Sequence, residues 1–357
     1  MTHHGDTILY HAPCFDGLIS AVVAKNFLEN ALGWNIENLV PVTYGRGDKH
    51  ERLDGRTAIV DFRYHPGSDA KFWIDHHQTT FLNTADQAHY ENALANDATR
   101  FLVYDKTAKA GAELLWRYAE QHSSDRERFG EMVKWATLID SAGYESAEQA
   151  VFGDAAAMQI CMTLGAKIDA KRLNALIYAL QTESLEEVAS MPLVVEPFAI
   201  TRERHERGQE IISRSIRVTD IGVGVYEATP GNDSPSRYGA FLARPDIRYS
   251  VSLIHDDRGS KISASRNPWH NADTAARLGT ILKGYGGGGH DAVGSLQLAP
   301  GSIAESREIL GKIVRDIEDA ETQQNALPYS PTNINQMRDD DTIQKEKHLP
   351  YQISSSL

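Results

Sequence analysis

Apolar positions along this chain switch between two periods, and the switches predict its elements. "DTILYHA" is a short apolar run of strand type, and "GLISAVVAKNFLENALG" behind it has helical spacing that should end at Gly33. "NLVPVTYG", "RTAIVDFRY" and "KFWIDHH" are three further β-rich runs. "AKAGAELLWRYAEQH" and "RFGEMVKWATLID" then read as amphipathic helices. Short strands alternating with helices predict an α/β, Rossmann-like, mostly parallel sheet covered on both faces.

Residues 169–215 look largely helical, including the charged stretch "ITRERHERGQEIISRS". From residue 218 the texture changes: "VTDIGVGVYEAT", "RYGAFLA", "RYSVSLIHD" and "KISASRN" read as successive strands. "ADTAARLGTILKGY" reads as a helix, followed by "GGGGH", a strand "AVGSLQLA" and a closing helix "IAESREILGKIVRDIEDAE". This predicts a smaller α+β domain. The expected limits are 1–190 for the first domain, 191–217 for a helical connector and 218–320 for the second domain. Residues 321–357 lack apolar periodicity and are expected to form a disordered tail.

Length agrees with two domains, since 357 residues exceed what one core usually serves. Two cysteines do not make a disulfide framework, and no run approaches a membrane-spanning length, so a cytoplasmic location is expected. The net charge of −13 works against a broad grip on duplex DNA. It allows a small nucleotide or short single strand held locally by a few cations, and it says nothing against a homo-oligomer.

Placed on these elements, the polar residues gather. His11, Cys14 and Asp16 follow the first strand, Asp61 ends "TAIVD", Asp75, His76 and His77 end "KFWIDHH", and Asp140 closes the helix "WATLID". In an open parallel sheet, ligands collect outside the carboxyl ends of the strands. A single His or Asp there is more often a turn or cap residue than a ligand. Several in order make a divalent-cation site, with metals that activate water and stabilise phosphate charge, an equal contender.

"HAPCFDG", "VDF", Asp75-His76-His77 and Asp140 resemble the motifs of the DHH phosphoesterases, a family of RecJ-like exonucleases, oligoribonucleases, pyrophosphatases and exopolyphosphatases. "KISASRN" and "GYGGGGHDAVG" resemble the substrate-binding domain that accompanies many of them. The resemblance implies that His11 and Asp61 hold one metal, and that Asp16, Asp61, His76 and Asp140 hold a second, with Asp61 bridging. It implies that His77 faces the substrate phosphate and that Asp75 orients the histidines, so His77, Asp61 and Asp75 form the catalytic set. Asp105 ranks below Asp140 for the last ligand. Arg266, His290 and the glycines Gly286, Gly287, Gly288 and Gly289 would hold substrate phosphate. Consecutive glycines let amides approach an anion, and a guanidinium binds phosphate bidentately.

The implied cofactor is one or two divalent ions per chain, manganese first, with magnesium, zinc or iron as alternatives. Cys14 departs from the pattern, because most of the family has Asp there. It is either a softer thiolate ligand or a small packed side chain. The implied activity is metal-dependent hydrolysis of phosphodiester or phosphomonoester bonds in short oligonucleotides or small nucleotides. The alternatives are a polyphosphate or pyrophosphate hydrolase and a catalytically weak nucleotide-binding regulator.

Overall fold

The computed structural model describes residues 5–43, 55–123, 125–164, 169–228, 235–256, 259–270 and 274–326. Its described residues divide into two compact units, one of 5–145 with 152–202 and one of 146–151 with 203–326.

The first unit opens with β1 (Asp6–His11), α1 (Phe15–Leu32), β2 (Ile36–Val42), β3 (Thr57–Val60) and β4 (Phe72–Asp75). It continues with α2 (Thr84–Asn96), β5 (Phe101–Tyr104), α3 (Gly111–Ala119) and α4 (Arg126–Asp140). After α5 (Ala147–Phe152), which belongs to the second unit up to Val151, come α6 (Ala156–Leu164), α7 (Ala170–Thr182) and α8 (Leu185–Ala189). The unit boundary falls inside α9 (Pro192–Ser215).

Five strands form a sheet in the order β2-β1-β3-β4-β5, parallel throughout. Strand residues alternate between two cores, as the two-residue period requires. Ile8, Tyr10, Ala58, Val60, Phe72 and Ile74 pack with α1 on one side. Leu9, Ile59, Trp73 and Leu102 pack on the other side with Tyr64 and Tyr90. Both faces are covered, which is why these strands read as continuous apolar runs. Helix α1 is buried along most of its length and ends at Gly33, whose φ of 63° lies in the left-handed region. The strand order reverses direction between β1 and β3, so the ligand crevice is expected beyond their carboxyl ends.

The second unit contains β6 (Arg217–Val218), β7 (Val223–Ala228), α10 (Gly239–Ala243), β8 (Tyr249–Asp256) and β9 (Gly259–Arg266). It ends with α11 (Leu278–Gly284), β10 (Gly288–His290), β11 (Val293–Leu298) and α12 (Ile303–Ala326). The sheet order is β10-β11-β9-β8-β7-β6, and α11 and α12 pack on it through Leu278, Leu282, Ile313 and Ile317. "RYGAFLA" is helix α10 where a strand was expected. The reason is topological: β7 and β8 are parallel, so the chain between them must cross over instead of adding a neighbouring strand.

Helix α12 runs to Ala326, beyond the expected start of the tail. Glu321 is buried there and accepts hydrogen bonds from the amides of Ala275 at 2.7 Å and Ala276 at 3.2 Å and from the Tyr249 hydroxyl. Positions 327–357, where the rest of the tail was expected, lie outside the described residues. No helix among the described residues is long and apolar enough to cross a membrane.

Candidate active site

The ends of β1, β3 and β4 bring the sequence candidates together. His11 is the last residue of β1, and Cys14 and Asp16 sit at the start of α1. Asp61 follows β3, Asp75 ends β4, and Asp140 ends α4. The side chains form three overlapping groups: His11 with Cys14 and Asp61, Asp61 with His76 and His77, and Asp16 with His76 and Asp140. In each group one ligand atom per residue lies within 4.8 Å of the others.

Asp61 is the hub. Its backbone adopts φ 55°, a left-handed conformation that few residues other than glycine, asparagine and aspartate adopt. That turn leaves the carboxylate 1% exposed, with Oδ2 3.4 Å from His11 Nδ1 and Oδ1 3.4 Å from His76 Nε2. Neither oxygen makes a hydrogen bond, and neither does His76 Nε2. Orphaned polar atoms this deeply buried are rare in folded proteins, because each loses its water without a replacement.

His76 Nε2 also lies 3.5 Å from Asp16 Oδ2 and 3.6 Å from Asp140 Oδ2. On the far side of the ring, Nδ1 lies 3.2 Å from the Ala108 carbonyl. Since a carbonyl can only accept, Nδ1 carries a proton and Nε2 is the ring atom that faces the carboxylates. Asp16 is itself held by helix α3, whose first amides, of Gly111 and Ala112, donate to its two oxygens at 2.6 and 2.9 Å. Asp75 is fully buried behind the histidines. It accepts from the His76 amide at 2.9 Å, from His77 Nδ1 at 2.7 Å and from the Thr80 hydroxyl. This fixes the His77 ring with Nδ1 toward Asp75 and Nε2 at the opposite end.

The electrostatics describe a negative cluster around an imidazole. Burial raises the Asp16 carboxyl well above the ordinary range, and the charges of Asp61 and Asp140 add to it. Asp140 is raised by burial and then by Asp61. Burial also pushes Asp61 up, but the His11 and His76 imidazoles outweigh it and hold Asp61 below the usual carboxylate range. Burial lowers His76, yet Asp61, Asp16 and Asp140 carry it up to about 10. The Cys14 thiol is pushed well up by burial and then by the same three carboxylates.

Three carboxylates and several imidazoles converging on orphaned buried atoms fit a divalent cation of the oxygen- and nitrogen-loving type. His11, Asp16, Asp61, His76 and Asp140 would hold it. Cys14 is close enough to join, but it would first have to lose a proton that its surroundings retain.

No protein-family model and no curated protein matches the sequence. Solved structures do match the fold. A pGpG-specific phosphodiesterase from Vibrio cholerae aligns over 89% of this chain and 100% of its own, with 17% identity and a TM-score of 0.66. The DHH domain of a member of the s1p family of ribosomal proteins aligns over 88% of this chain and 87% of its own, with 13% identity and a TM-score of 0.57. This chain has the DHH-domain fold. An exopolyphosphatase-related protein from Bacteroides fragilis shares it, over 89% of this chain and 93% of its own, with 14% identity and a TM-score of 0.52.

The remaining sequence candidates of this DHH-fold chain lie in the second unit. Arg266 ends β9, and its Nη1 donates to Thr274 Oγ1 at 3.1 Å. It lines a pocket of about 520 Å³ together with Thr274, Ala275, Arg277, Asp291 and Gln323. His290 ends β10, next to the pocket residue Asp291.

The four glycines have a structural duty that the sequence does not announce. A Cβ on Gly287 would meet the Ser295 carbonyl at 2.3 Å, and one on Gly289 would meet the Val293 carbonyl at 2.2 Å. The amides of Gly286 and Gly287 donate to the Lys283 and Leu282 carbonyls, closing α11. Only Gly286 and Gly288 have open space on their Cβ side. Close backbone packing therefore explains much of the run, and its first two amides are already engaged.

Sequence reasoning missed Ala108, Gly111, Ala112, Thr80 and Arg277. Four of them act through the backbone or a buried hydroxyl, which leaves no chemical signature in a sequence. Arg277 could have been noticed as a second cation close to Arg266, but only the tertiary structure shows that both line one pocket.

Proposed function

We propose that this protein is a metal-dependent phosphoesterase acting on short oligonucleotides or small nucleotides. The reading rests on Asp61, a buried carboxylate between His11 and His76 with both oxygens unclaimed by hydrogen bonds. The solved structures of like fold include a phosphodiesterase and an exopolyphosphatase-related protein, which supports phosphorus–oxygen bond hydrolysis as the chemistry.

Divalent cations at such a site supply activation of water and neutralisation of developing charge on phosphate oxygens. His11, Asp16, Asp61, His76 and Asp140 would be the ligands. Manganese or magnesium suits the carboxylate-rich set better than a soft-metal site would. His77, held by Asp75, would donate a hydrogen bond to a phosphate oxygen as charge builds there. Asp75 acts as its orienting partner. In the second unit, Arg266, with His290 nearby, would take up phosphate. Arg277 adds a second guanidinium to the Arg266 pocket and would favour a dianionic terminal phosphate over an internal diester.

The test is hydrolysis of a panel by the purified chain, with manganese, magnesium, zinc or chelator. The panel holds 5′-phosphorylated di- and pentanucleotides, a phosphoadenosine phosphate, pyrophosphate, a medium-length polyphosphate and long single-stranded DNA. Metal-dependent cleavage of the short nucleotides is expected, with Asp61→Ala lowering kcat at least about a thousandfold while far-UV circular dichroism stays unchanged. Cleavage confined to polyphosphate or pyrophosphate would transfer the assignment to the second reading. Chelator-resistant turnover, or substantial activity in Asp61→Ala, would refute the site.

A further inference from the structure

We infer that Arg117 is a positioning residue for the cation site, acting through the segment between β5 and α3. The inference rests on the cation reading of that site. None of the clustered ligand candidates lies in residues 105–113, where Asp105, ranked below Asp140, pairs with Arg117, yet this one segment touches three of them. The Ala108 carbonyl fixes the His76 ring at 3.2 Å. The amides of Gly111 and Ala112 hold both oxygens of Asp16. The bare Cα of Gly111 faces Asp61, where a Cβ would come within 2.9 Å of Oδ1. The segment therefore sets the directions of an imidazole and two carboxylates together.

What holds the segment is a set of side-chain bonds converging on one guanidinium. Asp105 Oδ1 accepts from the Thr107 amide at 2.9 Å and the Thr107 hydroxyl at 2.6 Å, and the Asp105 carbonyl accepts from the Ala108 amide at 3.1 Å. At the other end, Glu113 Oε2 accepts from the Lys109 amide at 2.9 Å. Arg117 closes the loop: Nη1 donates to Asp105 Oδ2 at 2.7 Å, and Nη2 donates to Glu113 Oε1 at 2.9 Å. One forked side chain thus ties the entry of the segment to its exit.

The competing reading is an ordinary surface ion pair on helix α3, since the Arg117 side chain is 46% exposed and Glu113 lies four residues before it. Such a pair alone contributes little to stability. The two readings separate in what they move. A surface pair changes thermal stability slightly and leaves the cation site alone. A brace that orients ligands changes cation affinity, as outer partners of metal ligands do. Lysine cannot replace the brace, because a single ammonium does not reproduce the two divergent donors of the fork.

The experiment is calorimetric titration of the full chain with manganese chloride, for wild type, Arg117→Ala, Arg117→Lys and Asp105→Asn. Arg214→Ala serves as a control, removing an exposed pair of the same i,i+4 spacing with Glu210 in the second unit. Melting curves without metal and the manganese dependence of kcat accompany it. We expect the manganese Kd to rise about 10- to 100-fold in Arg117→Ala, less in Arg117→Lys, and not at all in Arg214→Ala. kcat at saturating manganese should return to within a few-fold of wild type, because no ligand is lost. Should Arg117→Ala fail to fold, Arg117→Lys and Asp105→Asn decide by the same readout. A lowered midpoint with an unchanged Kd would overturn the inference and leave the cation reading standing. Wild-type protein that binds neither manganese, magnesium nor zinc would overturn both.

Discussion

Asp61 owes its role to a backbone conformation that most residues avoid. Its φ of 55° turns the carboxylate inward between two imidazoles, and the first turn of α3 closes over it. Strain of this kind persists only where surrounding packing holds it, and it concentrates at functional sites. Gly111 is the neighbour that makes room. Its Cβ, if present, would lie 2.9 Å from Asp61 Oδ1 and 3.1 Å from Asp61 Cβ. Alanine is a better helix former than glycine, so Gly111→Ala should leave the melting temperature within a few degrees of wild type. It should weaken manganese binding at least about tenfold by displacing the Asp61 carboxylate. Wild-type manganese affinity in this variant, measured by calorimetry, would show that Asp61 can move aside without consequence.

Helices and strands deliver these residues, and their ends are where the polar bonds sit. At the start of β1, Asp6 accepts the amides of Asn35 at 2.8 Å and Arg56 at 3.1 Å, and the Arg56 guanidinium through Nη2 at 2.7 Å. Burial pushes the Asp6 carboxyl up, but Arg56 and these amides outweigh it and hold it below the ordinary range. A carboxyl lowered on folding stabilises the protein fully above its unfolded pKa of about 3.9 and loses that contribution as pH falls through the folded value. Asp6→Asn should therefore cost about 1–3 kcal/mol at pH 7, and the gap to wild type should close below about pH 4. Urea melts at both pH values check the sign; an equal deficit at acid pH would mean that lost packing, not charge, is responsible.

Across the whole molecule, the division of labour follows the division into two units. Every candidate cation ligand lies in the first unit, and the two-arginine pocket lies in the second. Each unit has its own buried cluster, one built around α1 and one around Leu253, Ile262 and Ile313. Calorimetric melting should accordingly show two transitions. Manganese at about a hundred times its Kd should stabilise one of them by about 2.7 kcal/mol and leave the other in place. A single transition that moves as a whole would show that the units unfold together.

Much of this was legible in the residues themselves. The apolar runs of β1, β3 and β4 announced a parallel sheet because buried strands need no polar alternation, and the polar residues just after each run pointed to one end of it. The DHH triplet and the order of "HAPCFDG" and "VDF" around it carried the resemblance in fold. "RYGAFLA" was not legible: five residues of mixed propensity became helix α10 because β7 and β8 run parallel, a fact of pairing that no local window contains. Neither was the duty of the glycines, since contact between Gly287 and the Ser295 carbonyl joins segments that only the sheet brings together. The chemistry of the candidate site was likewise written in side chains that a reader can name: His11, Asp16, Asp61, His76 and Asp140. Their orientation was decided by tertiary structure, through the Ala108 carbonyl, the Gly111 and Ala112 amides and the left-handed turn at Asp61. Backbone groups are the same in every residue, so a sequence states which ligands exist, and only the fold states where they point.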